Sequence, residues 1–400
     1  MKKTFTTFAI LASFAVLPMW AENEGEAGSE NEAAVEFASD EKLEEGFITS
    51  HINRAIASGM ELAPAPDGTP ELGRTLTDYA SAPKFGGYFV GKYSYTDQDT
   101  KHGGDGFTQR LVRLYVDGTI LKDFKFRIQV QTNNDKFHMK DFFIEWAKHK
   151  EFSVKVGQFK RAFTFENPYN PWDVGTGDNA LSVKKLAGMG DRNGEVSNNG
   201  GRDQGLQIQG DLLPSKSDGH RFLHYQLAVY NGQGINAADA NGKKDFIGTI
   251  QVQPIKDLYI GAFGWTGDYV GNGVTVDRNR YAFGLKYEHD SWTVRGEYIH
   301  SQGHKISETN GDGTFSGTGK ADGWYATVGV PFTKWCKVYV KYDTYRDQGN
   351  WASAKTIYSI APNFQIHKNL MLQLQYNHAH DRMLADHDYN ELWAETYVRF

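Results

Sequence analysis

The side chains with the most chemical potential in this 400-residue sequence crowd into one short stretch: His378, His380, Asp381, Asp386, His387 and Asp388. Imidazoles and carboxylates at that density can hold a metal ion or pass protons as an acid–base pair. No nucleophile stands in a recognisable setting beside them, and His-Asp-rich connecting loops are commonly just solvated. GxxxxGK[ST], HExxH and paired CxxC patterns do not occur, so nucleotide hydrolysis, zinc peptidase chemistry and cysteine–zinc centres have no support, and no cofactor is expected. A second resource is a set of bases: Lys125, Arg127, Lys155, Lys160, Arg161, Lys184, Lys185, Arg280, Lys286, Arg295 and Lys341, with Lys92, Lys337 and Lys355. Positive charge carrying N–H donors can replace the hydration that an anion loses in a narrow passage. Acids are interleaved with them (Asp141, Glu145, Asp203, Asp211, Glu288, Glu297, Asp343), so cross-strand ion pairs compete with anion binding.

These bases need elements to position them, and from Lys84 onward the elements have a period of two. Phe124, Phe126, Ile128 and Val130 alternate with Lys125, Arg127, Gln129 and Gln131; Leu370, Leu372, Leu374 and Tyr376 alternate with Met371, Gln373, Gln375 and Asn377. Strand side chains point alternately to opposite faces, so each segment has one apolar and one wet face. Marking every such segment predicts strands at 84–96, 107–118, 123–133, 138–148, 151–161, 202–213, 221–231, 244–254, 257–268, 279–288, 291–301, 321–331, 336–346, 354–363, 369–379 and 390–400. The register of 257–268 stays open, because Tyr259, Phe263 and Trp265 compete with Leu258 and Ile260.

The connections sort by parity. Short ones fall near 119–122, 149–150, 255–256, 289–290 and 332–335, and longer ones near 97–106, 162–201, 232–243, 269–278, 302–320 and 380–389. Outer-membrane barrels have short periplasmic turns and long outside loops, whereas a soluble periplasmic β-module has no reason to sort its loops. Aromatics near strand ends (Tyr93, Tyr95, Trp146, Trp265, Trp292, Trp324, Trp335, Tyr342, Tyr345, Trp393) suit the lipid–water boundary as a group. The last segment alternates up to Phe400, which looks like the terminal assembly signal read by the barrel-assembly machinery. The fold class expected is an all-β transmembrane antiparallel barrel of about sixteen strands, too wide for side chains to fill and therefore an aqueous channel. Its longest connection, about 162–201, is expected to fold into the lumen as a constriction bearing Phe163, Trp172, Asp173 and Arg192.

Aromatics reach 14%, with 43 glycines and 11 prolines, and mean hydropathy is −0.56, which is ordinary for a soluble protein and equally what a barrel whose two faces cancel would give, so the pattern decides and the average does not. Lys2, Lys3 and the apolar run Phe8 to Val16 read as a secretory leader over 1–21. An arm over 22–80 follows and is expected in the periplasm; its residues 22–61 hold eleven acids and two bases, and Phe47, Ile48, Ile52, Ala55, Ile56 and Met60 suggest a short helix. Without the leader's two lysines and residues 22–61 the bases number 39 and the acids 38, so the remainder, which includes the barrel (81–400), is near neutral and nucleic acid is not an expected partner. Cys336 is the single cysteine, so no internal disulfide is available.

Phe85-Gly86-Gly87-Tyr88, the basic pair Arg110 and Arg113, the run Val156-Gly157-Gln158-Phe159-Lys160 leading to Phe163 and Glu166, and Arg202-Asp203-Gln204-Gly205 resemble the phosphate-selective porin O and P family. The resemblance implies a sixteen-stranded homotrimeric porin in the outer membrane of a Gram-negative cell, in contact with its lipid, passing small anions such as phosphate or polyphosphate. A general or sugar-permeable porin is the alternative, and a barrel enzyme built on the His-Asp stretch ranks behind both.

Overall fold

Alternation becomes strand wherever it persists. The computed structural model describes residues 82–98, 105–133, 136–195 and 200–400; the expected leader, arm and arm helix lie outside these described residues. The strands are β1 (Lys84–Thr96), β2 (Asp105–Ile120), β3 (Phe124–Asn133), β4 (Lys136–Trp146), β5 (Ser153–Lys160), β6 (Arg202–Pro214), β7 (Arg221–Tyr230), β8 (Asp245–Ile255), β9 (Leu258–Thr266), β10 (Asp268–Gly271), β11 (Val274–Asp277), β12 (Asn279–His289), β13 (Trp292–Gln302), β14 (Lys320–Pro331), β15 (Cys336–Arg346), β16 (Ala354–His367), β17 (Leu370–Asp381) and β18 (Asp388–Arg399). Sixteen of them close into one antiparallel barrel, with β9 pairing β12 and β18 returning to β1, while β10 and β11 form a separate hairpin. Closure leaves no open edge, which a sheet in lipid requires.

The wall is two-faced. Ile128, Phe142, Ile144, Leu227, Ile250, Phe283, Leu285, Val340 and Ile360 are exposed on the outside, where the bilayer covers them, while Gln129, Gln131, Gln207, Gln373, Gln375 and Asn377 are buried on the inside. Trp292 and Trp335 stand exposed at the short-turn rim, as boundary aromatics should. Trp265 and Tyr345 do not: both are buried in the interior core, and Trp393 lies against Gly177 of the β5–β6 connection. Their position along the strand fitted a boundary, but their pleat phase points them inward.

Among the described residues, two of the barrel's four register shifts alter that phase where bases lie. Val90 pairs Leu111 and Gly91 pairs Gln109, leaving Arg110 as the extra residue. Gln129 pairs Asp141 and Val130 pairs Met139, leaving Lys140 as the extra residue. A bulge lets two successive residues share a face, and Arg110 with Leu111, and Lys140 with Asp141, both turn inward.

The seam between first and last strands extends to Phe400, whose N–H donates to the Gly87 carbonyl (3.0 Å) and whose carbonyl accepts from the Gly87 N–H (2.9 Å). A β-carbon at Gly87 would come within 2.7 Å of the Phe400 ring, so glycine here makes room for an aromatic lid over the seam. Gly87→Val should displace the ring and destabilise the barrel by about 1–3 kcal/mol. The readout is a lower temperature for converting the compact band to the unfolded one on gels; an unchanged temperature would contradict it.

Candidate functional site

The interior is organised by the connection between β5 and β6. Wall strands β7 to β15 present Ala228, Ala282, Ala321, Ile299, Phe263, Trp265 and Tyr325 inward, and the connection lays Phe163, Phe165, Val183 and Leu186 on them. Phe163 meets Trp265 edge-on at 5.3 Å and Phe165 meets Phe263 at 5.2 Å between ring centroids. Each such side chain contributes about 2 kcal/mol by leaving water. The loop backbone is satisfied by wall side chains: Glu297 accepts from the N–H groups of Phe165 (2.5 Å) and Glu166 (3.2 Å), Asp343 from Leu181 (2.7 Å) and Gln375 from Gly177 (2.6 Å). Buried N–H groups must find acceptors, and here inward polar residues supply them. A short helix, α1 (Leu181–Leu186), presses Ser182, Val183 and Leu186 to the wall. At its far edge the loop reaches β18, where Trp172 packs on Tyr397 (5.8 Å) and under the Arg399 guanidinium (4.6 Å).

Charge locks the outer end of this assembly. Arg161, Arg278 and Arg280 sit 4.9, 4.6 and 4.7 Å from the Trp265 ring. Arg161 pairs Glu195 (3.1 Å) and Asp203 (2.6 Å), Arg278 pairs Glu195 (2.7 Å) and Asp245 (2.6 Å), and Arg280 pairs Asp191 (2.6 Å). Burial alone would raise the Asp191 carboxyl, but the Arg280 guanidinium outweighs it and holds the group below the usual carboxylate range. Desolvated charges persist only when paired and hydrogen-bonded. Arg161 and Arg280, expected to face solutes, are fully buried and instead fasten the loop to the wall.

Most other expected bases are also engaged. Arg127 clasps Asp117 at 2.7 Å through two nitrogens and Lys155 lies 3.5 Å from Glu145, both toward the short-turn end, with Lys125 exposed nearby. Arg295 donates to the Val174 carbonyl and covers Tyr169 at 4.5 Å; Lys341 donates to the Asp178 carbonyl (2.9 Å); Arg192 donates to the Gly303 carbonyl. Lys286 lies over Tyr259 at 4.6 Å. Within the loop Phe163 is buried, Trp172 half-buried and Asp173 exposed; Lys184 pairs Asp178 (2.5 Å), and Lys185 is exposed.

A different group of bases clusters beside the loop, with Arg113, Lys140 and Arg202 buried. From β2, β4, β5 and β6, Arg113, Lys140, Lys160 and Arg202 converge within electrostatic reach of one another. Arg202 takes Asp141 with two bonds of 2.8 Å, Arg113 donates to Gln131 (2.7 Å) and the Tyr88 hydroxyl (2.5 Å), and Lys160 donates to the loop carbonyls of Asn167 and Tyr169. Beside them Arg110 bridges Glu395 (2.9 Å) and Asp178 (4.0 Å), and Lys92 lies 3.6 Å from Glu395. Among the described residues this zone sets Lys92, Arg110, Arg113, Lys140, Lys160, Lys184, Arg202 and Lys341 against the acids Asp141, Asp178, Glu391 and Glu395. Of these, only Lys92 and Lys341 are among the bases singled out by alternation; Lys184 was picked out on the long connection and Lys160 in the family-like run. Arg110 and Lys140 fall out of phase through the bulges, and Arg113 and Arg202 entered only through the family resemblance.

Known proteins match this geometry at two levels. The model of the phosphate-selective porin O and P family matches residues 86–169, covering β1 to β5 and the start of the inserted loop. No curated protein matches the sequence. The barrel is similar to the anion-selective porin from Comamonas acidovorans over 80% of this chain and 100% of that one, at 13% identity and a TM-score of 0.60. It is also similar to the outer membrane channel DcaP of Acinetobacter baumannii (81% and 98%, 12% identity, TM-score 0.56) and to Salmonella typhi OmpF in complex with daunomycin (80% and 97%, 12%, 0.55). At these identities the likeness establishes the fold: a porin-type transmembrane barrel.

Trp265 touches both the apolar and the charged halves of the loop's anchorage. Trp265→Ala should cost about 3–5 kcal/mol and free the loop inside a folded barrel. Larger single-channel conductance and proteolysis within 162–201 are expected; wild-type conductance with an uncut loop would contradict this.

Proposed function

We propose that this outer-membrane barrel is a passive channel for small hydrophilic solutes, biased toward anions at its narrow zone and not dedicated to phosphate. The observation that carries the bias is the cationic zone beside the loop, where the side chains of Lys92, Arg110 and Lys184 stay 16%, 20% and 35% exposed and the buried Arg113, Lys140 and Arg202 add positive charge around Asp141. Fixed cations there attract an anion and supply donors for the hydration it sheds. One of the similar barrels is described as anion-selective and another was solved with daunomycin, which accords with a preference rather than a strict filter. The His-Asp stretch has no catalytic part in this reading: His380 is engaged with Asp388 at 2.7 Å, and no group of three or more metal-ligating residues converges among the described residues.

In planar bilayers under a potassium chloride gradient, the zero-current potential should favour chloride. Lys92→Glu with Arg110→Glu should reverse it, and Asp178→Asn should strengthen it. Burial alone would raise the Asp178 carboxyl, but Lys184, Arg110 and Lys341 outweigh it and hold it below the usual range. Asp178 is therefore ionised throughout the range above about 3.8, and the effect of Asp178→Asn should be the same near pH 5 as near pH 7. Cation preference in the wild-type channel would overturn the proposal.

A further inference from the structure

The outer wall holds two glycines that the barrel does not need. Inward strand glycines make room for neighbours: a β-carbon at Gly261 would come 2.7 Å from Phe165, and one at Gly323 2.7 Å from Ser182. Gly248 of β8 and Gly264 of β9 pair directly across the outer face and have no positive φ. A β-carbon at Gly264 would meet nothing within 4 Å, and one at Gly248 only Leu227, at an ordinary 3.5 Å. Mid-strand glycine sacrifices packing and backbone entropy, and it commonly marks the close approach of a ligand or another chain. Together the pair opens a trough of about 660 Å³ walled by Leu206, Ile208, Leu227, Val229, Phe246 and Thr266.

We infer that this trough seats an acyl chain of a phosphorylated membrane lipid, held at the long-loop end of β8 and β9. Two arguments select that occupant. The trough is continuous with the apolar outer belt, where Leu206, Leu227 and Phe246 are exposed to the bilayer. Past its lip, immediately before β8, the Lys243 side chain is 62% exposed and that of Lys244 38%; each is ion-paired, Lys243 with Asp268 (3.1 Å) and Lys244 with Asp239, at a surface where a lipid phosphate can compete for them. Lysines at the membrane boundary attract lipid phosphates, so apolar slot and basic lip together match one amphiphile. The inference is independent of what passes through the channel.

The test is native mass spectrometry of the full-length protein extracted in mild detergent. Wild type should retain a phosphorylated lipid. Gly248→Leu and Gly264→Leu should retain roughly tenfold less, as expected from displacing about two methylenes, and Gly264→Ala, whose methyl enters open space, should fold and show an intermediate loss. Lys243→Ala with Lys244→Ala should lower retention of phosphorylated lipid but not of neutral lipid. Absence of lipid on the wild type, or glycine variants that retain it unchanged, would overturn the inference. Covalent joining of two copies through Gly264→Cys under oxidation would also overturn it, by giving this face to a second chain.

Discussion

The stacking of three guanidiniums around Trp265, with Phe163 against the same ring, is the contact on which the interior depends. A sixteen-stranded wall cannot fill its own lumen, so something must occupy part of it without leaving backbone groups unsatisfied. The β5–β6 connection does so by presenting apolar side chains to the wall and accepting wall carboxylates and amides as partners for its N–H groups. Trp265 joins the two halves of that solution. Its ring extends the apolar contact, and its faces carry cations whose carboxylate partners lie on the loop (Asp191, Glu195) and at the starts of β6 and β8 (Asp203, Asp245).

The division of labour among charges follows from the same constraint. A guanidinium that loses water must be paired, and one used to fasten the loop is unavailable to a solute. Arg161, Arg278 and Arg280 are spent in this way. On the opposite side, where the loop presents only its edge, β1 to β6 bring a cationic group against few acids, and the passage keeps contact with water: the side chains of Lys92, Arg110 and Lys184 are 16%, 20% and 35% exposed. Of the inward bases, those that keep contact with water are the ones a solute can reach, and the path of the loop decides which they are.

Much of the barrel was legible from the sequence because period two is a strong signal where one face meets lipid and the other water. The run Cys336–Arg346 is strand over the predicted span, and Phe124 to Gln131 divides its faces as alternation implies. Alternation was silent where both faces are apolar. In β9, Phe263 and Trp265 point inward onto the loop while Ile260 points to lipid, so period alone could not choose a register. The β10–β11 hairpin was read as loop, although Asn272-Gly273, both at positive φ, is the turn signal that marks it. The candidate site was less legible. Bulges carry Arg110 and Lys140 out of phase, and whether an inward base is clasped or open depends on a loop whose path no local pattern encodes.

The central claim is that the β5–β6 connection lies clamped inside the barrel and sets its aperture. Single cysteines at Ser182, buried against the wall, and at Lys185, exposed to the lumen, test it in a background with Cys336 replaced by Ser. Treated in planar bilayers with a small charged thiol reagent, the Lys185→Cys channel should lose conductance promptly, while the Ser182→Cys channel should stay unmodified. Equal reactivity at both positions, or modification at Lys185→Cys that leaves conductance unchanged, would contradict the account.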